Sequence, residues 1–221
     1  MSGGIDLTGM VLASYPAGEY DRRVILLTAE RGRITAFARG ARRQNSALLA
    51  ATVPFSFGVF RLYEGRNAYT LAGAEITRYF ETLKKDLETV YYGSYFLELA
   101  GFYARENLDA SGMLNLLYVS LRALEKPALP NRLVRYIYEV RLMAGEGEFP
   151  LDMAQSECRS STAAYALRFI CTAPLEKLYT FVLTDEALDD LARVQDRIRK
   201  RLIDTDLKSL PVLESLCGGK A

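Results

Sequence analysis

The chain has 221 residues, with 28 Lys and Arg against 27 Asp and Glu, three Cys, and neither His nor Trp. Without histidine there is no Ser-His or Cys-His nucleophile, the commonest metal ligand is missing, and so is the most frequent general base. A net charge of +1 also argues against an anionic partner, but only if the charge is evenly spread along the chain.

Residues 1–80 read as strands and turns. Gly9 to Ser14 is a short apolar run, and Arg23 to Thr28 is a β-branched, continuous one. Glu30-Arg31-Gly32 supplies a turn into Arg33 to Ala38. Between Phe55 and Tyr63 the pattern alternates, with Phe57, Val59, Arg61 and Tyr63 on one side and Ser56, Gly58, Phe60 and Leu62 on the other. Glu64-Gly65-Arg66-Asn67 turns the chain into Ala68 to Ile76. Five short strands in this length predict a small barrel, closed or partly open.

Beyond Thr82 the period changes to about 3.6, the helical repeat. Leu83, Leu87, Val90 and Leu97 predict a helix reaching about Arg105, and a second covers Met113 to Leu124. Pro130 suits a helix start, and Leu133, Ile137 and Val140 form a stripe that ends before Gly145. Thr184 is placed to cap a final helix, with Asp185 and Glu186 at its positive end and Leu188, Leu191, Ile198 and Leu202 facing the core. From Gly145 to Leu183 the pattern is weak and predicts short strands at Ala164–Ile170 and Leu178–Leu183. The whole is an α+β chain: a β-barrel at 1–80, then a mainly helical domain at 81–221 with a small irregular or β insertion at about 148–183.

The charge follows this division. Residues 1–80 hold ten basic and six acidic side chains, and residues 81–221 hold 18 and 21. From Arg22 to Arg43 there are seven Arg against the single Glu30. The guanidinium forks onto phosphate oxygens and stacks on bases. An Arg-rich barrel that also carries Phe37, Phe57, Tyr63 and Tyr69 has the two components of single-strand binding, a cationic groove and stacking platforms. The strongest local signal is Ala38-Arg39-Gly40-Ala41-Arg42-Arg43, where Gly40 can adopt a positive φ while three Arg converge. The plain alternative is a solvated loop. Arg197 to Arg201 is a second basic run, explained by its place at a helix C-terminus.

Other chemistry finds little support. Cys158, Cys171 and Cys217 form no CxxC pair and suit neither a secreted disulfide framework nor a zinc site. Asp185-Glu186 and Asp189-Asp190 are explained by capping and solvation, against an acid/base or Mg²⁺ role. MSGGIDLTG has no basic and apolar leader pattern, and the longest uncharged run, Gln44 to Phe60, is too short and too polar to span a membrane. No catalytic residue, metal or cofactor is expected, no membrane partner, and a cytoplasmic location.

Several blocks of residues resemble the RecO family of bacterial recombination and repair proteins: Thr8-Gly9-Met10-Val11-Leu12, Gly18-Glu19-Tyr20-Asp21-Arg22, Leu26-Leu27-Thr28 and Ala36-Phe37-Ala38-Arg39-Gly40-Ala41-Arg42-Arg43. The likeness continues at Pro54 to Gly58, Leu62-Tyr63, Ser94 to Leu99 and Leu207 to Leu210. It implies an OB-fold barrel followed by a helical domain. It further implies binding of single- and double-stranded DNA, annealing of strands, and action with RecR in loading RecA, indirectly, at gaps coated by single-stranded DNA-binding protein (SSB). Contact with the acidic C-terminal tail of SSB and association with the nucleoid belong to the same expectation. Arg39, Arg42 and Arg43 fall on the family's basic motif. Arg22, Arg31, Arg33 and Arg66 join them as DNA-binding candidates, with Phe37 and Tyr63 as candidates for base stacking. Many members carry a four-cysteine zinc module, whereas the stretch Phe149 to Leu183 retains only Cys158 and Cys171. A different reading is a protein-interaction scaffold whose Arg cluster and helical grooves bind acidic peptide tails instead of DNA.

Overall fold

The computed structural model describes residues 3–217. Chain contacts divide it into two units: residues up to Glu81 together with Leu97–Asn115, and Thr82–Phe96 together with the chain from Leu116 onward.

The first unit is built on five strands, β1 (Ile5–Ala17), β2 (Asp21–Thr28), β3 (Gly32–Ala38), β4 (Phe57–Glu64) and β5 (Tyr69–Arg78), with one helical turn, α1 (Leu48–Ala51), before β4. They close in the order β1-β2-β3-β5-β4, and β4 returns to β1. This five-stranded closed barrel is the expected OB fold. Alternation along each strand sends Val24 and Leu26, Ile34 and Ala36, and Phe60 and Leu62 into one core with Leu7, Val11 and Leu71. β1 outruns the predicted Gly9–Ser14 because it serves two neighbours. Its first half pairs with β4, from Ile5↔Leu62 to Met10↔Phe57, and its second half with β2, from Gly9↔Thr28 to Ala17↔Asp21. A register shift between Val11 and Ala13 lets the strand bend between these partners. Gly9 and Gly58 are register partners, and each lies tight against its other neighbouring strand: a Cβ would lie 2.6 Å from the Leu27 carbonyl oxygen of β2 at Gly9 and 2.1 Å from the Glu75 carbonyl oxygen of β5 at Gly58. A parallel pairing of β3 with β5, Ala36↔Tyr69 and Phe37↔Thr70, closes the barrel.

The helices are α2 (Leu87–Tyr103), α3 (Ser111–Leu124), α4 (Asn131–Gly145), α5 (Leu151–Glu157), α6 (Ser161–Thr172), α7 (Asp185–Leu202) and α8 (Ser209–Cys217). Thr184 caps α7 as predicted, its hydroxyl accepting the Ala187 N–H at 3.4 Å. Leu83, expected in the first long helix, lies in a separate 3-10 turn, Leu83–Lys85, and Leu87 is 65% exposed. The buried residue of that first turn is Thr89, whose hydroxyl donates to the Leu83 carbonyl at 2.8 Å. Leu202, expected in the core, is 37% exposed because α7 ends there. The strands predicted in the insertion are absent. Ala164–Ile170 lies within α6, where Ala163, Ala166, Leu167 and Ile170 are buried at helical spacing, and Leu178–Leu183 is turn and coil. The final helix is α8, which the sequence pattern did not announce because Pro211 sits inside it. Among the described residues, no helix is long and apolar enough to cross a membrane.

Candidate nucleic-acid interface

The basic loop leaves the end of β3 and is fastened to the turn between β1 and β2. Gly40 has φ +64°, as the loop requires, and its N–H donates to Asp21 Oδ1 at 2.7 Å. The Arg42 N–H donates to the Tyr20 carbonyl at 2.8 Å, and Arg42 Nη1 donates to the carbonyls of Gly18 and Glu19 at 3.2 and 3.1 Å. Ala41 is buried in the barrel core and anchors the loop from within. The outcome is a fixed display: Arg39, Arg42 and Arg43 are all exposed, with the Arg43 guanidinium 5.1 Å from the centre of the Tyr20 ring. Arg22 is turned inward by comparison, donating to the Leu49 carbonyl at 3.1 Å and to Thr52 Oγ1 at 2.9 Å. It ties α1 to the barrel beneath the loop.

The other arginines lie elsewhere. Arg31 and Arg33 sit at the opposite end of β3, roughly 20 Å away at about 3.3 Å per residue. There Arg33 Nη1 donates to the Gly101 carbonyl and the Arg33 N–H to the Arg105 carbonyl, while the Asn107 N–H donates to the Arg31 carbonyl. Arg66 is exposed in the β4–β5 turn, which the parallel β3–β5 register places toward that same end. The structure therefore brings Arg39, Arg42 and Arg43 together and sets Arg31, Arg33 and Arg66 apart from them.

Of the barrel aromatics, Phe37 and Tyr63 are 41% and 45% exposed, whereas Tyr69 is in the core and Phe57 is half-buried. Phe37 pairs with Thr70, and Thr70 with Tyr63, so the two exposed rings share one cross-strand row. Sequence reasoning missed Tyr15, Tyr20 and Arg23. The register sets Tyr15 opposite Arg23 and Arg23 opposite Phe37, with the Arg23 guanidinium 5.0 Å from the Tyr15 ring centre. The signal was present in Gly18, whose positive φ makes a hairpin of the segments on either side and pairs Tyr15 with Arg23.

The family model for the recombination protein O N-terminal domain matches residues 1–80, and the one for the recombination protein O C-terminal domain matches 84–158. The chain belongs to the RecO family. It is 34% identical to the DNA repair protein RecO of Alkaliphilus metalliredigens over 165 residues, covering 75% of this chain and 67% of that protein. It is 26% identical to the DNA repair protein RecO of Acetivibrio thermocellus over 241 residues, covering 95% of this chain and 96% of that one. A third protein of the same name, from Anaeromyxobacter dehalogenans, is 32% identical over 167 residues, covering 75% of this chain and 65% of that protein.

The four-cysteine zinc module that the RecO resemblance brings to mind does not fit the residues here. Burial pushes the Cys158 and Cys171 thiols up to about 11, against the thiolate a metal needs. Among the described residues no three of His, Cys, Asp and Glu group as metal ligands do, and the Cys217 side chain lies outside them. The segment is held by other means. Asp190 Oδ2 accepts the N–H groups of Arg159 and Ser160 at 2.7 and 2.8 Å, Arg193 donates to the Glu157 carbonyl at 2.7 Å, and Arg141 donates to the carbonyls of Ile170 and Cys171. Burial alone would raise the Asp190 carboxyl, yet the Ser160 N–H, Arg193 and the Arg159 N–H together hold it below its ordinary value. An ionised carboxylate locked in this way is a fastener, not a general acid.

Proposed function

We propose that this chain is a DNA-binding mediator of recombinational repair and works without covalent catalysis. The observation that carries the reading is the arginine loop of a RecO-family OB barrel, held by Asp21 and by the Gly18, Glu19 and Tyr20 carbonyls so that Arg39, Arg42 and Arg43 face solvent together. Three guanidiniums on a fixed loop donate to phosphate oxygens at little ordering cost, whether the phosphates belong to a single strand or to a duplex. Arg31, Arg33 and Arg66, at the other end of β3, extend the contact along the backbone, and Arg22 supports the loop from below. Strands held at high local concentration by a weakly selective surface anneal.

The repair role follows from the relatives, each of which bears the name DNA repair protein RecO. Under this reading the partners are single- and double-stranded DNA, RecR, the SSB tail and, through them, RecA, in the bacterial cytoplasm at the nucleoid.

A salt titration of single-strand binding tests it. If about four phosphates are neutralised, log K falls with log salt at a slope near −3. Changing Arg39, Arg42 and Arg43 together to Ala brings that slope to about −1. Binding that ignores salt, or a triple variant that keeps the wild-type affinity and slope, refutes the proposal.

A further inference from the structure

Resting on that reading, we infer that the outer face of the barrel beside the arginine loop is a stacking platform for unpaired bases, formed by Tyr15, Arg23 and Phe37, with Tyr20 and Arg43 at its rim. The site would thus take single-stranded DNA by its bases as well as by its phosphates.

The placement follows from register. Tyr15, Arg23 and Phe37 are consecutive cross-strand neighbours on β1, β2 and β3, and all three are exposed. Tyr15 and Phe37 therefore lie two strand spacings apart, about 9.6 Å, with a guanidinium between them. Arg39 is exposed in the turn that follows β3, two residues beyond Phe37 in the chain, so a phosphate contact lies close to the ring. At the adjoining turn, Arg43 lies over Tyr20.

These exposed rings are not the residue of a poorly covered core. Two of the three carry a cation on or beside one face, and a guanidinium plane is itself a surface on which a base stacks. The acidic groups nearby are already engaged. Asp21 accepts the Gly40 N–H, and the Glu19 carboxylate bonds the Tyr20 hydroxyl, which raises that hydroxyl's pKa. Four exposed arginines (Arg23, Arg39, Arg42 and Arg43) surround a patch in which Glu19 and Asp21 are the only acids between Tyr15 and Arg43 apart from Glu30, which accepts the Thr8 N–H in the turn at the far end of β2. A polyanion with flat apolar faces is the ligand that matches this combination. Bases in a duplex offer no free faces, so a duplex would gain only the phosphate contacts.

The test uses the full chain and three probes of equal length: an oligo-dT, the same backbone with its bases removed, and a duplex. Wild type should bind oligo-dT more tightly than the abasic strand. Phe37→Ala and Tyr15→Ala should each weaken oligo-dT by roughly 5- to 100-fold, the range for loss of one stacked base. They should leave the salt slope, the abasic strand and the duplex within about two-fold, since phosphate contacts are untouched. Phe37→Tyr should restore binding and Phe37→Leu should not, which separates a flat ring from mere apolar packing. The platform is overturned, with DNA binding itself intact, if the abasic strand binds wild type as well as oligo-dT does, or if the Ala variants lose nothing. Failure of wild type to bind any of the three probes at low salt overturns the parent reading as well.

Discussion

Asp21 Oδ1 accepts the Gly40 N–H at 2.7 Å, which places a carboxylate directly beneath the arginine loop. As a charge, Asp21 opposes a polyanion. As an acceptor, it sets the direction of the loop. Asp21→Asn removes the charge and keeps an acceptor, so it should bind single-stranded DNA at least as tightly as wild type. Asp21→Ala removes both, and the loss of an ordering hydrogen bond, about 1 kcal/mol or roughly five-fold, should prevail. Fluorescence anisotropy on both variants checks this. Tighter binding by the Ala variant would mean that the loop does not need its tether.

Gly40 itself is required by its backbone and not by its surroundings. The nearest atom to a Cβ built there is Arg43 Cδ at 3.6 Å, an ordinary contact, while φ is +64°. Gly40→Ala should therefore cost about 1–2 kcal/mol through left-handed strain alone. Thermal melting should fall by a few degrees, and single-strand affinity should fall with it as Arg39 and Arg43 lose their fixed direction.

How legible was this site? The alternation of Phe57 to Tyr63 named both faces of β4 correctly, because a half-buried strand writes its geometry into the sequence with period two. The loop at Gly40 was equally open, since glycine among arginines signals a backbone need. Which arginines stand together was not. That depends on the parallel β3–β5 pairing and on the direction of the β4–β5 turn, both non-local: Arg31 and Arg33 are near the loop in sequence but at the other end of β3, and nothing local places Arg66. Arg22 looked like its neighbour Arg23, yet alternation on β2 turns one toward Thr52 and the other to solvent. The α6 helix was misread because Ala164 to Ile170 is too short a window for period two and period 3.6 to separate.

Asp190 gives the helical unit a measurable response to acid. Its carboxyl is held below the ordinary value in the folded chain, so its stabilising contribution is fully present above about pH 4, the unfolded carboxyl's value. It is lost as pH falls through the lower, folded value. Asp190→Asn should thus be less stable than wild type near neutral pH, by about 1–3 kcal/mol, because an acceptor of two backbone N–H groups and of Arg193 is weakened. That gap should close as pH drops below 4. Urea unfolding at pH 7 and pH 3 reads the difference. A chelator should leave the melting temperature unchanged at either pH, because these side chains hold the Cys158 and Cys171 segments.

Two carboxylates in one arginine network allow burial to be weighed against contact. Arg135 Nε donates to Glu139 Oε1 at 2.7 Å, and Glu139 is fully buried, also accepting the Tyr95 hydroxyl at 2.8 Å and Gln195 Nε2 at 3.1 Å. Glu214, on α8, lies 3.6 Å from Arg135 and 3.4 Å from Arg199, but its side chain is 50% exposed. Removing Glu139 takes away the fully buried carboxylate of Arg135, leaving it the partly exposed Asp196 and Glu214 at 3.4 and 3.6 Å, and leaves the Tyr95 hydroxyl without its acceptor. Glu139→Ala should therefore cost about 3–5 kcal/mol. Glu214→Ala should cost less than about 1 kcal/mol, since water already screens that pair. Added salt should erase the Glu214 effect and leave the Glu139 effect standing. Equal costs in urea titrations at low and high salt would show that α8 is held to Arg135 and Arg199 as firmly as Glu139 is, and that exposure does not decide the balance.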